Sequence, residues 1–368
     1  MKTRTIIAAL AVSLALATTA AAQSDGNRET PGTFPGESIL EKSASFRSFL
    51  YNNSSSSVEF IENSNSLSPF RTALINSIGI TGSNLKVSVF KLTYANTNFP
   101  EYAVLFRRNG NTKLLVYNCG HTGIPTSTET FETVFMNEAV AAGFDLLYTS
   151  MPLLGINSPD PSDNYWMIAA GNKNKVPVDN RILSISISWP LTHSVFEMLD
   201  DPNHYMHFFI DGMILPSAFN NADKFQIGPR FFKLTDGFPN FAYQKTVYVG
   251  ISGGGATGLS ACAIYPFDEC VLIAGFLPDY LRVQNVNDLG DAEQVTASLY
   301  LRFPYEDIID VAEFVSKKIV YVYNANDSCC FSDPQASQFK ADFPELDIRI
   351  TPLNYHGYIP EDILALIQ

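Results

Sequence analysis

Apolar and polar positions alternate over residues 85–95 and again over 101–108, with Asn96-Thr97-Asn98-Phe99-Pro100 between them. That two-residue period with a polar turn predicts an antiparallel hairpin. Asn109-Gly110-Asn111 then turns the chain into a further apolar run, 113–117. Beyond it the pattern changes to strand runs at 144–149, 246–249, 271–274, 319–322 and 346–351, with helical segments over 128–142, from Gly253, over 306–317, over 334–343 and from Pro360. Repeated strand-helix units predict a mainly parallel sheet with antiparallel N-terminal strands and helices on both faces, an α/β architecture.

Three stretches stand outside that rhythm. Residues 23–83 open rich in Ser, Asn and Gly, including Asn52-Asn53-Ser54-Ser55-Ser56-Ser57, and read as a loosely structured N-terminal segment with one short helix. Residues 152–245 are rich in Pro, Asn and aromatic side chains, and 279–300 interrupt the pattern again. Insertions at the carboxyl ends of strands are where open α/β sheets build their pockets, so 152–245 is expected to be a cap on a domain spanning 84–368. Its Trp166, Trp189, Tyr205, Phe208, Phe209, Phe219 and Phe225 either line an apolar pocket or pack the cap against the main body.

Lys2 and Arg4 precede an apolar run from about Ile6 to Ala17 and the small residues Ala20-Ala21-Ala22. That order predicts a secretory signal peptide over 1–22, a mature chain starting at Gln23, and a periplasmic or secreted product. No Cys follows the small residues to accept lipid, and no later run is long enough for a membrane span, so no membrane anchor is expected. A hydrophobic fraction of 46% supports a substantial core. The net charge of −13 disfavours nucleic acid and anionic surfaces as partners, and becomes more negative once Lys2 and Arg4 leave with the signal peptide. Five cysteines allow two disulfides at most; Cys262 with Cys270 is a plausible pair, and Cys329-Cys330 is either a vicinal bond or two thiols.

Gly250-Ile251-Ser252-Gly253-Gly254 follows the strand-like Thr246-Val247-Tyr248-Val249 and opens a Gly- and Ala-rich helix. A serine in that context sits on a tight strand-to-helix turn, with glycines where a Cβ would collide. A neutral hydroxyl is a poor nucleophile and needs a base within reach plus a group that orients the base. Of the five histidines, His356 in Asn354-Tyr355-His356-Gly357 lies between the last strand and the last helix, where a loop returns over the carboxyl edge of the sheet. The orienting acid is Asp327, just after the 319–323 strand, whereas Asp333 precedes Pro334 and reads as a helix cap. An oxyanion needs two backbone donors. Gly253 supplies one, and Thr122 or Gly123 in Asn118-Cys119-Gly120-His121-Thr122-Gly123 the other, with His121 bracing that loop. His204 and His207 have a His-x-x-His spacing without a third ligand, so no metal is expected, and no phosphate-cradling or dinucleotide motif announces a cofactor.

Together these residues resemble the α/β-hydrolase superfamily from about Leu85 to the C-terminus. Within it, Asp145 to Asn157, Ile251-Ser252-Gly253-Gly254-Gly255, Ala274-Gly275-Phe276-Leu277-Pro278 and Gly290-Asp291-Ala292-Glu293-Gln294 resemble exported bacterial hydrolases of the dienelactone-hydrolase and acetyl-esterase branch. The resemblance implies a Ser252-His356-Asp327 triad cleaving a small-molecule carboxylic ester through an acyl-enzyme. Asn118 stands where that group often has a histidine, and Asn324 where a glycine is usual. Two other readings stay open: an amide or peptide hydrolase on the same triad, and a non-catalytic binding protein that keeps the pocket.

Overall fold

Six neighbouring strands run parallel from one edge of a ten-stranded sheet. The computed structural model describes residues 38–51, 56–62, 66–94, 99–125, 129–158, 160, 165–168, 175–178, 203–219, 232–235, 238–282 and 292–368. The strands are β1 (Ser56–Ile61), β2 (Lys86–Thr93), β3 (Glu101–Arg107), β4 (Lys113–Asn118), β5 (Phe144–Thr149), β6 (Tyr165–Ile168), β7 (Lys175–Val178), β8 (Phe232–Leu234), β9 (Lys245–Ile251), β10 (Glu269–Ile273), β11 (Ile319–Asn324) and β12 (Asp347–Thr351). The main sheet has the order β12-β11-β10-β9-β4-β5-β3-β2-β1-β8. β12 through β5 are parallel, β5-β3-β2-β1 pair antiparallel, and β8 joins β1 in parallel. β6 and β7 form a separate antiparallel pair.

Strands in the parallel region are covered on both faces, which is why β5 and β11 are buried along their whole length and β11 reads as a nearly continuous apolar run. Successive side chains still point to opposite faces. On β4, Leu114 and Val116 enter one core layer while Leu115 and Tyr117 enter the other; on β9, Tyr248 opposes Val247 and Val249. The helix Gly253–Ile264 is buried at every residue, because its small side chains let it lie between the sheet and the helix Tyr305–Val315. The helices Phe131–Ala141 and Pro360–Ile367 pack together on the opposite face. Each fully buried Leu or Ile of these layers contributes roughly 1.5–3 kcal/mol by leaving water.

Among the described residues, the N-terminal segment holds more regular structure than its composition predicts. Ser38 caps the helix Ile39–Leu50 in a reciprocal capping box with Glu41, and Phe46 and Leu50 are buried in the main core. β1 is part of the main sheet, so the helix Ile39–Leu50 and β1 belong to the same body as the downstream strands. Ser and Asn content obscured this because β1 is a short, near-edge strand whose buried positions, Val58 above all, are few. The inserted segment likewise does more than cover the sheet: β8 extends it, and the helix His207–Ile214 packs on β3, β4 and the Gly253–Ile264 helix. Tyr205, Phe208, Phe209 and Phe219 are buried core residues. Trp166 lies on β6, and Trp189 and Phe225 fall outside the described residues, as does the expected signal peptide.

Cys262 and Cys270 form a disulfide that ties the end of the Gly253–Ile264 helix to β10. Cys329 and Cys330 carry thiols rather than a vicinal bond. No helix among the described residues is long and apolar enough to cross a membrane.

Candidate active site

Ser252, Asp327 and His356 follow β9, β11 and β12 respectively, so parallel strand direction brings all three to the carboxyl edge of the sheet. Asn118 to Gly123 follow β4, the other neighbour of β9, and reach the same edge.

Ser252 has φ 57° and ψ −131°, a backbone conformation costly for a side-chain-bearing residue. Its neighbours over-determine it. The Ser252 amide donates to the Ile273 carbonyl at 2.9 Å, and the Ser252 carbonyl accepts from Gly255 at 2.8 Å and Ala256 at 3.1 Å. A Cβ at Gly250 would collide with the Gly254 carbonyl, and one at Gly254 with the Asn118 carbonyl. These glycines permit strand, turn and helix to close on each other. The Tyr248 hydroxyl completes the turn by donating to the Gly254 carbonyl at 2.5 Å. The serine itself is half-buried and makes no capping hydrogen bond.

His356 is held from the side of its Nδ1, which lies 3.1 Å from Asp327 Oδ1 and 3.0 Å from Oδ2. The Asp327 side chain is fully buried, with Oδ1 also accepting from the Cys329 amide at 2.8 Å and the Cys330 amide at 3.3 Å. Burial opposes its charge, but the bond to His356, the imidazole's charge and the two amides outweigh it and hold the carboxyl below its ordinary range. Burial likewise opposes protonation of His356, and Asp327 overcomes it, raising the ring's proton affinity. With Nδ1 turned to Asp327, Nε2 is buried and makes no hydrogen bond. The structure therefore joins the expected acid and base directly. Ser252 and His356 share the sheet edge without a hydrogen bond between them, a separation common before substrate binds.

Gly253 is the first residue of its helix, where the amide has no intrahelical acceptor. A Cβ on Gly120 would lie 2.9 Å from that nitrogen, so the turn Gly120–Thr122 faces the helix N-terminus. The Gly123 amide donates to the Gly120 carbonyl at 3.2 Å and closes this turn. The Thr122 hydroxyl donates to the Cys119 carbonyl at 2.8 Å. His121 stacks its ring against the nucleophile turn, with Cε1 2.7 Å from where a Gly253 Cβ would stand, and its Nε2 lies 2.9 Å from Glu293 Oε1. Glu293 is fully buried. This pair fastens the turn to the second inserted segment, 279–300.

Three contributors escaped sequence reasoning. Asn324 Nδ2 donates to the Tyr355 carbonyl at 3.0 Å, the Gly357 carbonyl at 2.8 Å and Asp327 Oδ2 at 3.3 Å, while its Oδ1 accepts from Thr351 Oγ1 at 2.6 Å. It clamps the His356 loop to the acid loop, a job a glycine could not do. Asn118 accepts the Gly120 amide at 2.8 Å and donates to Thr149 Oγ1 at 3.1 Å, fixing the turn after β4. Glu293 is the third. Both asparagines had shown only as departures from the usual residues of the superfamily.

His204 and His207 have separate structural roles. His207 is fully buried with Nδ1 3.3 Å from Asp211 Oδ2, and His204 Nε2 lies 2.8 Å from Ser298 Oγ. Burial drives His204 down to about 4. An open groove of about 590 Å³ runs past Ser45, Phe49, His204 and Arg302, and none of the elbow, acid or base residues lines it.

No protein-family model and no curated protein matches this sequence. Among solved structures, a protein from Bacteroides fragilis proposed to be an acetyl xylan esterase is similar at 8% identity and a TM-score of 0.52, over 85% of this chain and 74% of that one. Acetyl xylan esterase 1 from Thermoanaerobacterium sp. is similar at 15% identity and a TM-score of 0.47, over 91% of this chain and 94% of that one. The S-formylglutathione hydrolase of Agrobacterium tumefaciens is similar at 12% identity and a TM-score of 0.45, over 78% and 95%. The chain has the α/β-hydrolase fold, with the antiparallel N-terminal strands and parallel centre described above.

Proposed function

We propose that this protein is an exported serine hydrolase that cleaves a carboxylic ester through an acyl-enzyme. The observation that carries the reading is the His356-Asp327 pair on the same sheet edge as a serine in a left-handed strand-to-helix turn. Ser252 Oγ attacks the carbonyl carbon as its proton passes to His356 Nε2. Asp327 holds the ring's Nδ1 proton toward itself and stabilises the imidazolium that forms. The oxyanion is received by the Gly253 amide and by an amide of the Gly120–Thr122 turn, for which Thr122 is the candidate since Gly123 is engaged within the turn. His356 then returns its proton to the leaving alcohol, and a water activated by the same nitrogen releases the acid. Export rests on the leader pattern over 1–22.

Ser252→Ala tests the reading. Hydrolysis of short p-nitrophenyl acyl esters is expected to fall by about 10³-fold or more with the thermal transition unchanged. Retained turnover in that variant overturns the assignment. Aminoacyl p-nitroanilides measured alongside separate ester from amide cleavage, with the ester rate expected to dominate.

A further inference from the structure

Cys329 and Cys330 sit on the loop that carries Asp327, beside the base. Each thiol and one imidazole nitrogen of His356 offer a ligand atom, and all three atoms lie within 4.8 Å of one another. No other trio of His, Cys, Asp or Glu among the described residues has that spacing. The loop backbone is already fixed, since both cysteine amides donate to Asp327 Oδ1. Cys329 is exposed, while Cys330 and His356 are half-buried.

We infer that Cys329, Cys330 and His356 form a binding site for a soft d¹⁰ cation of the Zn²⁺ or Cd²⁺ class, which shuts down catalysis when bound. Two sulfurs and an imidazole suit such ions and suit Mg²⁺ or Ca²⁺ poorly. Tetrahedral zinc with ordinary bond lengths places its ligand atoms about 3.6–3.8 Å apart, so contraction of about 1 Å by side-chain rotation closes the site. On binding, two thiol protons leave to solvent, two metal–sulfur bonds and one metal–nitrogen bond form, and the cation sheds water for them. Either nitrogen of His356 has a task in the proposed mechanism: Nδ1 is held by Asp327, and Nε2 takes the serine proton. A cation on either one stops proton transfer. The inhibitory half of the inference rests on His356 being the base; the binding half does not.

The two halves are read separately. The chelator-treated full-length protein, with its Cys262–Cys270 bond intact, is titrated with cadmium chloride while the ultraviolet cadmium–thiolate charge-transfer absorbance and the p-nitrophenyl acetate rate are followed together. Wild type is expected to gain the band with saturation at one ion per chain and to lose its rate in parallel, with chelator restoring both. Cys329→Ser/Cys330→Ser is expected to lose the band and to resist cadmium relative to its own metal-free rate. The two single serine variants are expected to fall between. His356→Gln is expected to keep a band but to need more cadmium for half-saturation. No band in wild type, or an undiminished band in the double variant, overturns the site. A band that saturates with the rate unchanged, or equal inhibition of wild type and double variant, overturns the inhibitory role. Because absorbance needs no turnover, failure of the serine-hydrolase reading shows in Ser252→Ala kinetics and leaves the binding test intact.

Discussion

Asp327 grips His356 with both carboxylate oxygens, Oδ1 at 3.1 Å and Oδ2 at 3.0 Å from Nδ1, and its side chain is fully buried. This arrangement dictates one tautomer of the base. Asp327→Asn keeps the shape but offers Nδ1 an amide in place of a charge, so kcat is expected to drop by about 10³–10⁴-fold with substrate binding little changed. Steady-state kinetics on an ester substrate check this.

The same contact sets the pH response. Asp327 raises the proton affinity of His356 above the ordinary imidazole value of 6.5 against the effect of burial, and the base works only when neutral. The acid limb of kcat/KM is therefore expected to have its midpoint above 6.5, moving to lower pH in Asp327→Asn, where the main influence opposing burial is gone. The pair's contribution to folding follows the same signs. It is complete below the unfolded histidine value and lost as pH rises through the folded one; at the acid end it is lost as pH falls through the depressed value of Asp327.

Asn324 joins the acid loop, the His356 loop and the end of β12 with four hydrogen bonds from a position with no exposure. Asn324→Ala leaves two carbonyls unanswered and is expected to cost about 1–3 kcal/mol. Asn324→Asp, which sets a carboxylate against those carbonyls and Asp327, is expected to cost more. Urea unfolding ranks them, and kcat should fall in the same order because the His356 loop loosens.

Gly254 lies where a Cβ would meet the Asn118 carbonyl, a backbone atom with little room to move. Gly254→Ala is expected to destabilise by about 3 kcal/mol or more and to abolish hydrolysis, since the oxyanion turn and the nucleophile turn would separate. Gly143 has φ 90° with open space around it, so Gly143→Ala is a control carrying backbone strain alone and leaving the site intact. Thermal melts and ester kinetics on both variants make the comparison.

The Cys262–Cys270 bond closes a short loop of sequence separation 8. Replacing both with Ala is expected to cost about 2–3 kcal/mol by the chain-entropy relation, read as a lower denaturation midpoint with kcat unchanged.

The strongly periodic elements were legible because burial on both faces of a parallel sheet leaves long apolar runs such as Ile319 to Tyr323, and because a nucleophile turn needs glycines at fixed offsets. Chain order then located Asp327 and His356 as loops after successive strands. What the sequence hid depends on long-range pairing. β8 pairs with β1, far upstream in the chain, and the helix Ile39–Leu50 buries its face against residues more than two hundred positions away. Glu293 and Asn324 acquire their roles only when loops far apart meet, so the sequence marked them as part of a resembling motif and as a departure without showing what they hold.

The central claim concerns one hydroxyl activated by one imidazole. Treating the protein with a fluorophosphonate and locating the adduct by peptide mass spectrometry tests it most directly. The account predicts stoichiometric modification of Ser252 in the wild type and loss of labelling in His356→Ala. Absence of an adduct on Ser252, or labelling undiminished without His356, would contradict it.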